Sequence, residues 1–153
     1  AWQVLRGEVK PGRSVVVVDW RCDWIGPGIA EQLTRAGHQV RLAVNGTHCG
    51  ENLPLYVRDQ LAGELHKLGI AITPYARLYG CDDNTVYLQH TASGEPMLLE
   101  DVDTLVLCQG HQQVDELADE IADLAEVRRI GDCLAPRTAE EAIYEGLKAG
   151  WAI

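Results

Sequence analysis

No apolar run in this 153-residue chain approaches the roughly twenty residues needed to cross a bilayer, and no segment reads as a membrane span or a signal peptide. Positive charge is also scarce. Thirteen Lys and Arg face twenty-three Asp and Glu, for a formal charge of −10, too little cation to neutralise a phosphate backbone, so nucleic acid is not an expected partner. The five cysteines, at 22, 49, 81, 108 and 133, form no CxxC pair and no zinc-ligand spacing. They read as reduced thiols of a cytoplasmic protein, with no metal expected. A Ser-His-Asp order, a Gly-x-Ser-x-Gly elbow, a Walker loop, an internal repeat and low-complexity sequence are all missing, which removes the commonest hydrolase and NTPase readings.

The chain does have a buried-sheet pattern. After the Pro11-Gly12 turn, residues 14–18 (Ser-Val-Val-Val-Val) are apolar without alternation, as in a strand covered on both faces of a parallel sheet. A loop over 19–27 follows, then Ile29, Ala30, Leu33 and Ala36 at helical spacing with Gly37 as the stop, then a second strand at 40–44. Strand, helix and strand in this order make a βαβ unit. Pro54 opens a second helix along Val57, Leu61, Leu65 and Leu68, closed by Gly69, and 70–75 reads as a third parallel strand. Residues 76–100 change character: 85–88 and 96–99 are short strands of a hairpin or small meander that replaces a helical crossover. Residues 105–108 form the next buried strand. A helix along Val114, Leu117, Ala118, Ile121 and Leu124 precedes a short strand ending at Ile130. The expected fold is α/β, a Rossmann-like three-layer nucleotide-binding domain with a parallel sheet and a β-meander crossover.

A dinucleotide loop needs glycines for a tight turn, for backbone approach to the pyrophosphate and for close helix–strand contact. Counting back from Gly37, the third falls on Gly26 and the first two on Arg21 and Asp23. A side chain at the first obstructs the turn, and a carboxylate at the second faces the diphosphate. Gly26 and Gly28 remain near the helix start as candidate nucleotide contacts. The acid that would hold an adenosine ribose at the end of the second strand is replaced by Val44 and Asn45, and no Arg cluster stands beside them in sequence. Binding of NAD(P)H here is therefore not expected.

The tail, Val-Arg-Arg-Ile-Gly-Asp-Cys-Leu-Ala-Pro-Arg-Thr-Ala-Glu-Glu-Ala-Ile, places Gly131 and Asp132 after the apolar residues and starts a helix just past Arg137. A carboxylate and free N–H groups at such a junction suit an anion or a ribose; as a plain turn, Asp132 would cap the final helix.

Ile-Gly-Asp, then Ala-Pro-Arg, resembles the last segment of two-dinucleotide flavoproteins, above all the trimethylamine dehydrogenase and 2,4-dienoyl-CoA reductase group of old yellow enzyme relatives. The resemblance extends over nearly the whole chain. The long, glycine-poor loop after Val-Val-Val-Asp is similar to the amine dehydrogenase branch, and Asp-Thr-Leu-Val-Leu-Cys-Gln-Gly to the family's strand ending in Thr-Gly. It implies that residues 1–13 connect from a flavin or ADP-binding half, that 14–126 are the NAD(P)-binding-like domain, and that 127–153 complete the flavin half. On that basis Gly131 and Asp132 would meet FAD or ADP, with Arg137 as a phosphate neighbour, while FMN and a [4Fe–4S] cluster would belong to the remainder of a parent oxidoreductase. Partners would be the rest of that chain and an electron-transfer protein, and this segment alone would not be catalytic.

Two rivals differ in class: a functional NAD(P)H domain of an enoyl reductase, and a stand-alone adenine-nucleotide module. Among other candidates, Cys22 beside Arg21 could be a reactive thiol at a helix start, His48 and Cys49 sit in a polar loop without metal spacing, and His111 follows a strand end. The acids at 115, 116, 119, 120 and 123 read as a solvated helix face.

Overall fold

The computed structural model describes residues 1–124 and 126–152; Ala125 and Ile153, each inside an expected segment, lie outside the described residues. The chain divides into two compact units, Ala1–Gly110 and His111–Ile153.

In the first unit, helix α1 (Trp2–Leu5) precedes β1 (Ser14–Asp19), α2 (Ile25–Arg35), β2 (Gln39–Val44), α3 (Leu55–Lys67) and β3 (Ala71–Thr73). Strands β4 (Ala76–Asp82), β5 (Thr85–His90) and β6 (Pro96–Leu99) follow, and then β7 (Thr104–Cys108). The order β3-β2-β1-β7 makes a parallel sheet with β1 inside it, Val16 lying against Arg41 on one side and Leu105 on the other. Both faces of β1 are covered, which explains its unbroken valines. Val15 and Val17 pack with Ile29, Leu33 and Leu65 of the helices, whereas Val16 and Val18 pack with Val86, Leu88 and Val102 of the meander side. Each fully buried valine contributes about 1.5 kcal/mol or more.

The meander β4-β5-β6 is antiparallel and carries the chain from the β3 edge to β7. Its first strand was not expected, because a register shift between Leu78 and Gly80 breaks the alternation from which a strand is read. The third parallel strand is shorter than the 70–75 expected from sequence: Tyr75 adopts a φ of 54°, which turns the chain out of the ladder. Helix α2 begins at Ile25, so Gly26, Pro27 and Gly28 belong to its first turn and not to a loop reaching 27.

The second unit holds α4 (Glu116–Glu120), a 3₁₀ turn at Gly131–Cys133 and α5 (Ala139–Trp151). Two expectations fail here. The helix along 114–124 contracts to five residues, since like charges at 115/119, 116/120 and 119/123 repel along it and its apolar residues stay uncovered, Val114 being 74% and Leu124 81% exposed. No strand forms over 127–130: Ile130 is extended, with φ −140° and ψ 159°, but has no ladder partner among the described residues.

Candidate functional site

Ligands of open α/β sheets collect at the carboxyl ends of the strands. At that edge β1 ends in Asp19, which is wholly buried. Its Oδ1 accepts the Cys22 N–H at 3.0 Å, folding the chain back so sharply that Cys22 takes a φ of 52°. Oδ2 is the buried side-chain oxygen left without a hydrogen-bond partner among the described residues. Burial pushes the Asp19 carboxyl up to about 7; the Cys22 N–H opposes the rise and the Asp23 carboxylate adds to it.

Asp23 closes the turn from the other side. Its Oδ1 accepts the Ile25 N–H at 3.0 Å and its Oδ2 the Arg21 Nε at 2.9 Å, so the positive end of α2 has a carboxylate from its own chain. Gly26 lies in contact with Asp19, where a β-carbon would come within 2.6 Å of Oδ2, whereas nothing lies within 4 Å of a β-carbon on Gly28. The Gly28 N–H is already bonded to the Trp24 carbonyl at 3.0 Å.

The β2–α3 loop is tied over this turn. Asn52 donates from Nδ2 to the Arg21 carbonyl at 2.5 Å and from its backbone to the Cys22 carbonyl at 3.1 Å. Cys22 accepts the Gly46 N–H on Sγ at 3.3 Å. Burial raises the Cys22 thiol, and pushes those of Cys49 and Cys108 up to about 12, so none is poised as a thiolate at neutral pH. The reactive reading of Cys22 fails for that reason.

In the second unit, Gly131 has a φ of 62° and donates its N–H to Glu145 Oε2 at 2.7 Å. The other oxygen of Glu145 accepts from Arg137, and these two donors hold the carboxyl below its usual range. Gly131 and Arg137, singled out from sequence, thus converge on one carboxylate that sequence reasoning missed. Asp132 is exposed in the same 3₁₀ turn. It does not cap the final helix; Thr138 does, in a capping box with Glu141.

No family model matches the chain. N,N-dimethylglycine/sarcosine dehydrogenase of Chromohalobacter salexigens is 24% identical over 187 residues, covering 96% of this chain and 26% of that protein. The structure of 6-hydroxypseudooxynicotine amine oxidase from Pseudomonas geniculata N1 superposes with a TM-score of 0.85 at 25% identity, over 97% of this chain and 23% of that one. A complex of 2-naphthoyl-CoA reductase gives 0.80 at 28% identity, over 99% and 23%. The chain matches one segment of the trimethylamine dehydrogenase and 2,4-dienoyl-CoA reductase family. It spans about a quarter of the length of these relatives.

For a domain of this fold, the nucleotide test is whether α2 can receive a diphosphate. The Cys22, Ile25 and Gly28 N–H groups are all occupied by acceptors of the chain itself, and the carboxyls of Asp19 and Asp23 stand where phosphates would need donors. That geometry does not fit a diphosphate. In the second unit Arg137 and the Gly131 N–H are likewise occupied, both by Glu145, so a phosphate oxygen would reach these donors only by displacing that carboxylate. Asp23 was legible as an obstacle. Asp19 was not, because its burial under α2 is a tertiary fact; the Thr138-x-x-Glu141 signature was there to be read.

Proposed function

We propose that this chain is the nucleotide-binding-like domain of a larger flavin-dependent oxidoreductase of the amine dehydrogenase or demethylase type, and that it carries no chemistry of its own. Residues 14–126 would be the former nicotinamide domain. Residues 127–153 would complete a flavin or ADP half, where Gly131, Asp132 and Arg137 would hold FAD or ADP. FMN and an iron–sulfur cluster would lie in the remainder of a cytoplasmic parent chain, supplying the redox chemistry, with an electron-transfer protein as acceptor.

The observation that carries this reading is the buried Asp19 carboxyl beneath the first turn of α2, with Asp23 already on the Ile25 N–H. Likeness to relatives named as an amine oxidase and a sarcosine dehydrogenase supports the amine side. The rival, a nicotinamide-accepting domain of a reductase, draws on the likeness to 2-naphthoyl-CoA reductase and requires both carboxyls to withdraw.

The test uses the longer polypeptide that contains this chain, purified with its cofactors. Its flavin absorbance should bleach anaerobically with a secondary or tertiary amine and not with NADH or NADPH. Bleaching by a nicotinamide cofactor and by no amine would establish the rival.

A further inference from the structure

The loop after β2 contains a second constellation, separate from the β1–α2 turn. Arg58, near the start of α3, donates from Nη1 to His48 Nε2 at 2.7 Å. A guanidinium only donates, so His48 presents a bare Nε2 and carries its hydrogen on Nδ1. That nitrogen is 2.6 Å from Thr47 Oγ1, which in turn donates to Glu51 Oε1 at 3.1 Å, while the Thr47 N–H donates to Glu51 Oε2 at 2.9 Å. The loop and helix are thereby locked into one arrangement, with every donor direction set by the next acceptor.

The chain of bonds fixes the guanidinium without cancelling its charge. His48 meets it with a lone pair. Arg58 Nε stands 3.7 Å from Asp59 Oδ1, beyond hydrogen-bond length, and the Asp59 side chain is 70% exposed, so solvent screens that pair. Thr47, His48, Cys49, Arg58 and the solvent-exposed Asp59 line one part of a cavity of about 370 Å³, and Ala62, Ile72 and Pro74 supply an apolar wall. The cavity lies beside the carboxyl ends of β2 and β3, the edge at which such sheets take ligands. Its volume is at the small end for ligand pockets, enough for a single ring with a charged group and too little for a dinucleotide.

We propose that this cavity binds a small organic anion, its carboxylate or phosphate taken by the Arg58 fork and its flat apolar body laid against Ala62, Ile72 and Pro74. A planar fork held from behind by His48 is suited to two parallel hydrogen bonds with such a head group. No residue of the β1–α2 turn takes part, so the site stands or falls independently of whether a diphosphate binds there.

The test is a ¹H–¹⁵N NMR titration of this chain with phenyl phosphate, benzoate and inorganic phosphate. Saturable shifts confined to 47–49, 58–62 and 72–74 are expected with phenyl phosphate, benzoate or both, at a dissociation constant of about 1 mM or tighter. Which of the two binds more tightly identifies the head group. Inorganic phosphate should bind at least ~10-fold more weakly, and Arg58→Gln should weaken the organic anion by at least ~10-fold. Because Arg58→Gln could loosen the loop, Ala62→Leu serves as the second variant: it fills the wall, leaves the Arg58–His48 pair alone and should also abolish binding. Absence of saturable shifts up to about 20 mM would overturn the proposal. So would unchanged binding in either variant, or inorganic phosphate binding as tightly as phenyl phosphate.

Discussion

Asp19 and Gly26 pack so closely that a β-carbon on the glycine would lie 2.5 Å from the aspartate Cβ and 2.6 Å from its Oδ2. The strand end and the helix start therefore share space that no larger residue can enter. Gly26→Ala should cost about 3 kcal/mol through overpacking against backbone-anchored atoms. Gly28→Ala, one turn position on and open to solvent, should be neutral or stabilising by up to about 1 kcal/mol. Urea unfolding of the two variants checks the contrast, and equal effects would show that the Asp19–Gly26 contact is not what limits residue size.

The buried Asp19 carboxyl makes stability depend on pH in an unusual direction for an acid. Its value is about 7 in the folded chain against 3.8 for the free group, so between these values the folded state binds more protons than the unfolded one. The contribution is fully present below pH 3.8 and is lost as pH rises through about 7. Asp19→Asn removes this loss. The variant should gain stability relative to the parent between pH 5 and pH 8, by on the order of 2–4 kcal/mol. A difference that stays flat across that range in urea unfolding would mean that Asp19 is not desolvated.

Thiol labelling should separate the cysteines by environment. Cys81 is exposed, whereas Cys22, Cys49 and Cys108 are buried with raised thiol values. With a disulfide reagent at pH 8, Cys81 should react first and the buried three only on unfolding. Mass spectrometry of a brief labelling reaction locates the modified residue; early label on Cys22 would restore it as a reactive thiol.

Thr138 accepts the Glu140 N–H, and Glu141 returns a bond to the Thr138 backbone, so the start of α5 depends on a reciprocal cap. Thr138→Ala should cost this helix about 1 kcal/mol. Amide exchange over 139–145 should speed up by roughly fivefold, in line with that loss; unchanged exchange would mean that packing, not the cap, holds the turn.

Much of the first unit could be read from residue order because its strands obey a simple rule. A strand covered on both sides carries an unbroken apolar run, as Val15 to Val18 do in β1; β2 and β7 show shorter runs, at 42–44 and 105–108, beside polar residues such as Arg41 and Thr104. What stayed hidden was set by tertiary contact or by its lack. The β4 strand carries Gly80 at a register shift, and α4 has an apolar stripe with nothing among the described residues to bury it, so its periodicity promised more helix than forms. At the site, Arg21 and Asp23 were visible as departures from a glycine pattern, but their hydrogen bond to each other was not. The meeting of His48 and Arg58 depends on how the loop folds back onto α3, which no local pattern encodes.

The central claim is that the strand-to-helix turn of the parallel sheet has been closed by its own carboxyls. Isothermal titration of NADH into this chain at pH 7.5 addresses it most directly. The expected result is no saturable heat up to about 1 mM ligand. A one-to-one isotherm with a micromolar dissociation constant would contradict it and reopen the turn as a nicotinamide site.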